Sequence, residues 1–147
     1  MIQVSMVPPQ MVEQIWPSVE GYLARAAEYT NGRYEVQDIL DAITDYDYRL
    51  WVAFDGAVIK GAVVTNIVAY PRRKVLCMQF CGGVELVQWK EPMLQMLQCF
   101  ACDAGCDGIE ATARPGWAKI FKNDGYKPSW QTFELPAAMA GLGVHNG

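Results

Sequence analysis

The sequence predicts a mixed α/β domain: a central, mostly antiparallel sheet with helices on both faces. Three observations predict it. Apolar residues recur at three and four near the start, then switch to a period of two through a β-branched middle. Asp55-Gly56 and the polar run Pro71 to Lys74 divide that middle into consecutive strands, a three-strand antiparallel meander. Helical spacing then returns and is followed by a further strand, the strand-helix-strand order of a right-handed crossover. The expected order is β-α-α-β-β-β-α-β-α-β.

Ile2 to Val7 alternates loosely as a first strand, ended by Pro8-Pro9. Val12, Ile15, Trp16, Val19, Tyr22, Leu23 and Ala26 line one face of a helix. Pro17 lies inside that pattern and predicts a kink or two shorter helices. After the Asn31-Gly32 turn, Val36, Ile39, Leu40 and Ile43 form a second amphipathic helix, with Asp38, Asp41 and Asp45 on its wet side. Strands follow over Arg49 to Phe54, Ala57 to Tyr70 and Val75 to Cys81; Gly61 marks a bulge and Gly82-Gly83 ends the third. Leu86, Trp89, Met93, Leu94, Leu97, Phe100 and Ala101 share the face of a long helix stopped by Gly105. Pro92 falls in its first turns. Gly108 to Arg114 reads as a strand, Pro115 to Asn123 as a short helix closed by Asp124-Gly125, and Tyr126 to Leu135 as a last strand. Residues 1–135 make one domain, and 136–147 a Gly/Ala-rich tail outside its core.

The composition excludes several functions. Of the 147 residues 52% are hydrophobic, enough for a sizeable core and too many for a disordered chain. The net charge of −4 argues against a nucleic-acid partner. No secretory signal and no apolar run of membrane-spanning length is visible, so the expected setting is cytoplasmic, with no membrane partner. The five cysteines, Cys77, Cys81, Cys99, Cys102 and Cys106, form an odd set suited to reduced thiols. Cys99-x-x-Cys102-x-x-x-Cys106 lacks a nearby fourth ligand, so buried free thiols are preferred to zinc and no metal is expected. Cys77 and Cys81 share a strand face by parity.

The order of elements, with Gly116-Trp-Ala-Lys-Ile-Phe-Lys-Asn-Asp-Gly-Tyr126, resembles the GNAT acyltransferase superfamily. In that family a short late helix ends in a Gly-aromatic pair and enters the last strand. Arg114-Pro-Gly-Trp117 more narrowly resembles the short GNAT-like proteins of bacteriophages. The resemblance implies acetyl-CoA as co-substrate and a phosphate-binding turn written Gln/Arg-x-x-Gly-x-Gly/Ala, matched in part by Gln79-Phe80-Cys81-Gly82-Gly83-Val84. Such a turn offers backbone N–H groups and the positive end of a helix dipole to pyrophosphate. It also implies a Tyr in the late helix as acid for the leaving thiolate. Phe121 stands at that position, and Arg114 stands where an Asn commonly caps the region.

Amine acylation also needs a general base. Glu110 shares a strand face with Thr112 and Arg114, and a carboxylate among apolar strands is suited to that work. Its competing role is pairing with Arg114. Glu85, just after the glycine pair, is the second candidate, with helix capping as its competing role. The resulting expectation is an acyl-CoA-dependent N-acetyltransferase acting on a small amine or a protein amino group. The departures at Phe121 and Val84 set beside it a phage protein that kept the fold and lost the chemistry. That alternative is a virion component, or a host-factor binder, meeting phage structural proteins through the C-terminal tail.

Overall fold

Among the described residues of the computed structural model, five strands lie side by side in chain order: β1 (Ile2–Met6), β2 (Arg49–Asp55), β3 (Val58–Ala69), β4 (Lys74–Gly83) and β5 (Gly108–Ala111). The first four pair antiparallel and β5 joins β4 in parallel. The structure describes residues 1–113, 122–123, 125–129 and 131–137. Gly56 at positive φ turns the β2–β3 hairpin, with Asp55 paired to Val58. Lys60 is the extra residue beside Gly61, because Ala53 faces Gly61 while Phe54 faces Ile59.

Helices α1 (Val12–Ala27) and α2 (Val36–Asp45) bury Trp16, Val19, Leu23 and Ile39 against Leu50, Val52, Val64 and Phe80 on one face of the sheet. Helix α3 (Leu86–Asp103) buries Trp89, Met93, Leu97 and Ala101 against Trp51, Val63 and Leu76 on the other. The alternation of β2 and β3 divides the apolar residues between these two cores.

Neither internal proline ends its helix. Pro17 lies within α1, where an intact helix would bond its N–H to the Glu13 carbonyl; both residues are exposed, so water can serve that carbonyl. The expected break is therefore replaced by one helix, preceded by a 3-10 turn at Pro9–Met11. Pro92 sits seventh in α3, deeper than expected, opposite the exposed Gln88. Gly105 stops α3 at φ +76°: its N–H bonds the Cys102 carbonyl at 3.1 Å, and the Cys106 N–H reaches the Ala101 carbonyl at 2.8 Å.

The C-terminal expectations fare differently. Strand β5 ends at Ala111, three residues before the predicted Arg114, which lies outside the described residues together with Phe121 and Trp117. Of the predicted helix over Pro115 to Asn123, Lys122 and Asn123 are described and helical. The described residues of Tyr126 to Leu135 form no strand, and Pro128 removes a ladder donor from the middle of that stretch.

Candidate functional site

The site is set by where β4 and β5 part. Their parallel ladder matches Val75 with Gly108 through Met78 with Ala111, and the Thr112 N–H adds a last bond to the Met78 carbonyl at 3.2 Å. Strand β4 continues five residues further, to Gly83, with only β3 beside it among the described residues.

The parting coincides with a bulge. Thr65 faces Met78 while Val64 faces Phe80, so Gln79 has no partner across the ladder. Its side chain instead donates from Nε2 to Asn66 Oδ1 at 2.9 Å. The Val84 N–H bonds the Lys60 carbonyl at 2.8 Å. Antiparallel pairs alternate between bonded and non-bonded, so Gly82 and Phe80 also turn their backbone groups toward β3. The backbone groups of Cys81 and Gly83 then face the other way, into the space β5 has left. The bulge also corrects the parity reading of the cysteines. Cys77, beside Asn66, lies on the α1/α2 face, whereas Cys81 packs into the α3 core. Burial pushes the Cys81 thiol up to about 12.

Gly82 and Gly83 do not form the turn expected of them. They are the last residues of β4, paired with Ala62 and Gly61, and helix packing explains their lack of a side chain. A Cβ on Gly82 would lie 2.5 Å from the Tyr22 carbonyl oxygen of α1. One on Gly83 would strike the Lys60 carbonyl, and one on Gly61 would strike the Trp89 ring. The Trp89 indole lies over Gly61 and Gly83, and its N–H donates to the Val84 carbonyl at 2.9 Å.

The anion-facing amides are thereby displaced along the chain. Val84 has spent its N–H on Lys60, and α3 opens after Glu85, which adopts φ +54°. The amides of Glu85, Leu86 and Val87 are the ones the helix leaves unpaired at its positive end. Glu85 makes no side-chain cap bond; its carboxylate meets Lys60 Nζ at 2.5 Å. That pair offsets the negative charge that would otherwise oppose an anion at this helix end. An extended thioester tail with a pyrophosphate fits these groups: β4's free backbone edge suits amide-bearing pantetheine, and the α3 amides suit phosphate.

Glu110 faces the α1/α2 side, opposite to Ile109, which packs in the α3 core. It is matched with Cys77 across the ladder, and Oε1 accepts a hydrogen bond from the Tyr70 hydroxyl at 3.2 Å. Thr112 Oγ1 approaches Cys77 Sγ at 4.0 Å. Burial pushes the Cys77 thiol up; Thr112 pulls it down and the Glu110 charge pushes it further up. Loss of hydration raises the Tyr70 phenol, and the neighbouring Glu110 raises it again. Among the described residues no Lys or Arg forms an ion pair with Glu110.

The two carboxylate candidates therefore occupy opposite ends of β4. Glu110 sits beside Cys77, and Glu85 lies past Gly83. Six strand residues separate those levels by about 20 Å, so the two cannot serve one reacting atom. Neither Phe80 nor Trp89, the large rings nearest the parting, closes it. Phe80 points to the α1/α2 core and meets Tyr34 edge-on at 5.0 Å, and Trp89 stays over the β3–β4 glycines.

The thiol expectation is corrected in part: Cys99 and Cys102 are exposed, since the core-facing positions of α3 are Trp89, Met93, Leu97 and Ala101. All five cysteines are free. A hollow of about 100 Å³ at the start of β2, between Tyr46 and Ile67, is flanked by the Asp47–Arg49 ion pair and is also lined by Asn66 and Leu76. Sequence reasoning missed Tyr70, Tyr34, Tyr48 and Lys60. Their roles depend on pairings across the sheet and between helix and sheet, which no local pattern records.

No family profile matches the chain, and no curated protein matches it in sequence. Solved structures do match in shape, and they define the fold as that of the GNAT acetyltransferases. A ribosomal-protein-alanine N-acetyltransferase from Brucella melitensis biovar Abortus 2308 superposes with a TM-score of 0.69 at 10% identity, over 92% of this chain and 99% of that one. An aminoglycoside N-acetyltransferase in complex with CoA gives 0.68 at 11% identity, over 92% and 94%. A predicted acetyltransferase with acetyl-CoA from Clostridium acetobutylicum gives 0.65 at 10%, over 92% and 96%. Among the described residues no helix is long and apolar enough to cross a membrane.

Proposed function

We propose that the protein is an acyl-CoA-dependent N-acyltransferase. The observation that carries this reading is the parting of β4 and β5 at the Gln79 bulge, which leaves the backbone of Cys81 and Gly83 open and aims the edge of β4 at the first turn of α3. Acetyl-CoA supplies an activated acyl group as its thioester. Its amide-rich arm lies along the free edge of β4, from Gln79 to Val84, and its pyrophosphate meets the amides of Glu85, Leu86 and Val87. Glu110, held by the Tyr70 hydroxyl on the α1/α2 side of the same parting, takes the proton that the amine must lose. Glu85 has a different part: paired to Lys60, it shapes the phosphate end and takes no proton from the acceptor.

The three acetyltransferase neighbours support the reading through the fold they share with this chain. Calorimetric titration with acetyl-CoA tests it, with saturable binding in the micromolar range as the expected result. No heat and no thermal shift at millimolar acetyl-CoA would refute it, and is what the scaffold alternative predicts.

A further inference from the structure

The hollow at the start of β2 opens on the α3 face of the sheet, and its polar lining holds more donors than acceptors. Leu76, fully buried in the α3 core, and Ile67 make its apolar wall; Tyr46 and Asp47, both exposed, stand at its mouth. Arg49 and Thr65 supply the donors. The Arg49 guanidinium is fixed by stacking on the Phe100 ring, 5.3 Å from its centroid. Its five N–H donors lie in one plane. Among the described residues, one terminal nitrogen reaches the Met6 sulfur at 3.8 Å, a weak acceptor. The other lies 3.6 Å from Asp47 Oδ1, beyond hydrogen-bond length. Thr65 is fully buried. Its oxygen accepts from the Trp51 indole N–H at 2.9 Å, and no described residue accepts the hydroxyl's own hydrogen. A buried donor without an acceptor costs free energy until a ligand takes it.

We infer that this hollow binds a small carboxylate on a short apolar stem. The two carboxylate oxygens take paired N–H bonds from Arg49, one of them also takes the Thr65 hydrogen, and the stem lies against Ile67 and Leu76. A cavity of roughly 150 Å³ takes benzene, so one of about 100 Å³ suits an ion of about five heavy atoms. Asp47 is the competing acceptor. An ion pair so exposed contributes little, and it yields to a partner that meets the guanidinium fork squarely. The inference goes beyond the transferase reading. Thr65 and Leu76 face α3 whereas Glu110 faces α1/α2, and roughly 23 Å of β4 separate Leu76 from Gly83, so the ligand is neither the amine nor the acyl donor.

Trp51 reports on the site, because its indole donates to the hydroxyl that the ligand engages. The test follows the Trp51 indole N–H resonance of the full chain on titration with propionate, its neutral counterpart propionamide, and inorganic phosphate. A saturable shift is expected with propionate, at an affinity roughly 10-fold tighter than propionamide and about 3-fold or more tighter than phosphate. Arg49→Lys keeps the charge, loses the fork and weakens propionate roughly 10-fold. Asp47 adopts φ +59°, a conformation Asn shares readily, so Asp47→Asn leaves the backbone as it is. By removing the competing carboxylate it tightens propionate about 3-fold. Equal affinity for propionate and propionamide, phosphate binding as tight as propionate, or propionate affinity unchanged in Asp47→Asn overturns the inference. Competition between acetyl-CoA and propionate overturns it too, since it places the ion in the donor site. Failure of acetyl-CoA to bind while the propionate preference holds refutes the transferase reading and leaves the carboxylate site standing.

Discussion

Gly82→Ala separates two explanations of the glycine pair. The new methyl group would lie 2.5 Å from the Tyr22 carbonyl oxygen, where ordinary contact begins at 3.4 Å, so about 0.9 Å must be found. The obstacle is helix backbone. Helix α1 is pinned over the strand by the Tyr22 hydroxyl, which donates to the Ile59 carbonyl at 2.9 Å, and by Val19 and Leu23, fully buried below it. Neither side can yield by turning a side chain, so the cost falls at the upper end of the overpacking range, about 3 kcal/mol. For a chain of this size that lowers Tm by roughly 10 °C. Urea unfolding followed by tryptophan fluorescence reads it as a drop in midpoint at unchanged slope. A loss below about 0.5 kcal/mol, together with weakened acetyl-CoA binding, would refute the packing argument and return Gly82 to a phosphate turn.

Gly21→Ala should act in the opposite direction. An added methyl there meets nothing within 4 Å inside α1, so removal of a helical glycine should raise stability by about 0.5–1 kcal/mol in the same urea assay. Thr65→Val should destabilise by about 1–3 kcal/mol, because the buried Trp51 indole N–H loses its 2.9 Å bond to a fully buried hydroxyl. Cys81 ties stability to alkaline pH. Its thiol holds its proton to about 12 when folded, against 9.0 for the unperturbed group, so its contribution is complete below pH 9 and is lost as pH rises toward 12. A Cys81→Ala variant should show a shallower alkaline decline in urea midpoint than the parent. Cys99 and Cys102, exposed on α3, should react with a thiol reagent at pH 8 well before Cys81 does.

Most of the sheet was legible because its signals are local. Asp55-Gly56 can turn only one way into a hairpin, and Gly105 supplies the positive φ that closes α3. The alternation of β2 and β3 shows which residues face each core. What sequence missed depended on partners distant in the chain. Gly82-Gly83 reads as punctuation until α1 and Trp89 are laid across it. Pro17 reads as a kink or a break until the solvent exposure of the preceding turn is known. The bulge at Gln79 leaves no mark of its own, since it is defined by Thr65 and Val64 on another strand. Face and residue type single out Glu110 as a candidate, but its Tyr70 partner lies 40 positions away. Glu85 reads from sequence as a second base candidate or a helix cap; it stands at the start of α3 without a side-chain cap bond, and its engagement with Lys60 again requires the fold.

The extra residue in β4 works as a phase slip. Positions up to Met78 and positions from Phe80 onward obey opposite odd-even rules, so the chain must be counted in two separate frames. Any relative lacking this insertion has to be compared with a one-place offset beyond it; otherwise inward residues are matched to outward ones. A donor-binding segment taken from such a relative would have to be grafted with that offset, and excision of Gln79 alone should leave a regular ladder with Phe80 still turned to the α1/α2 core.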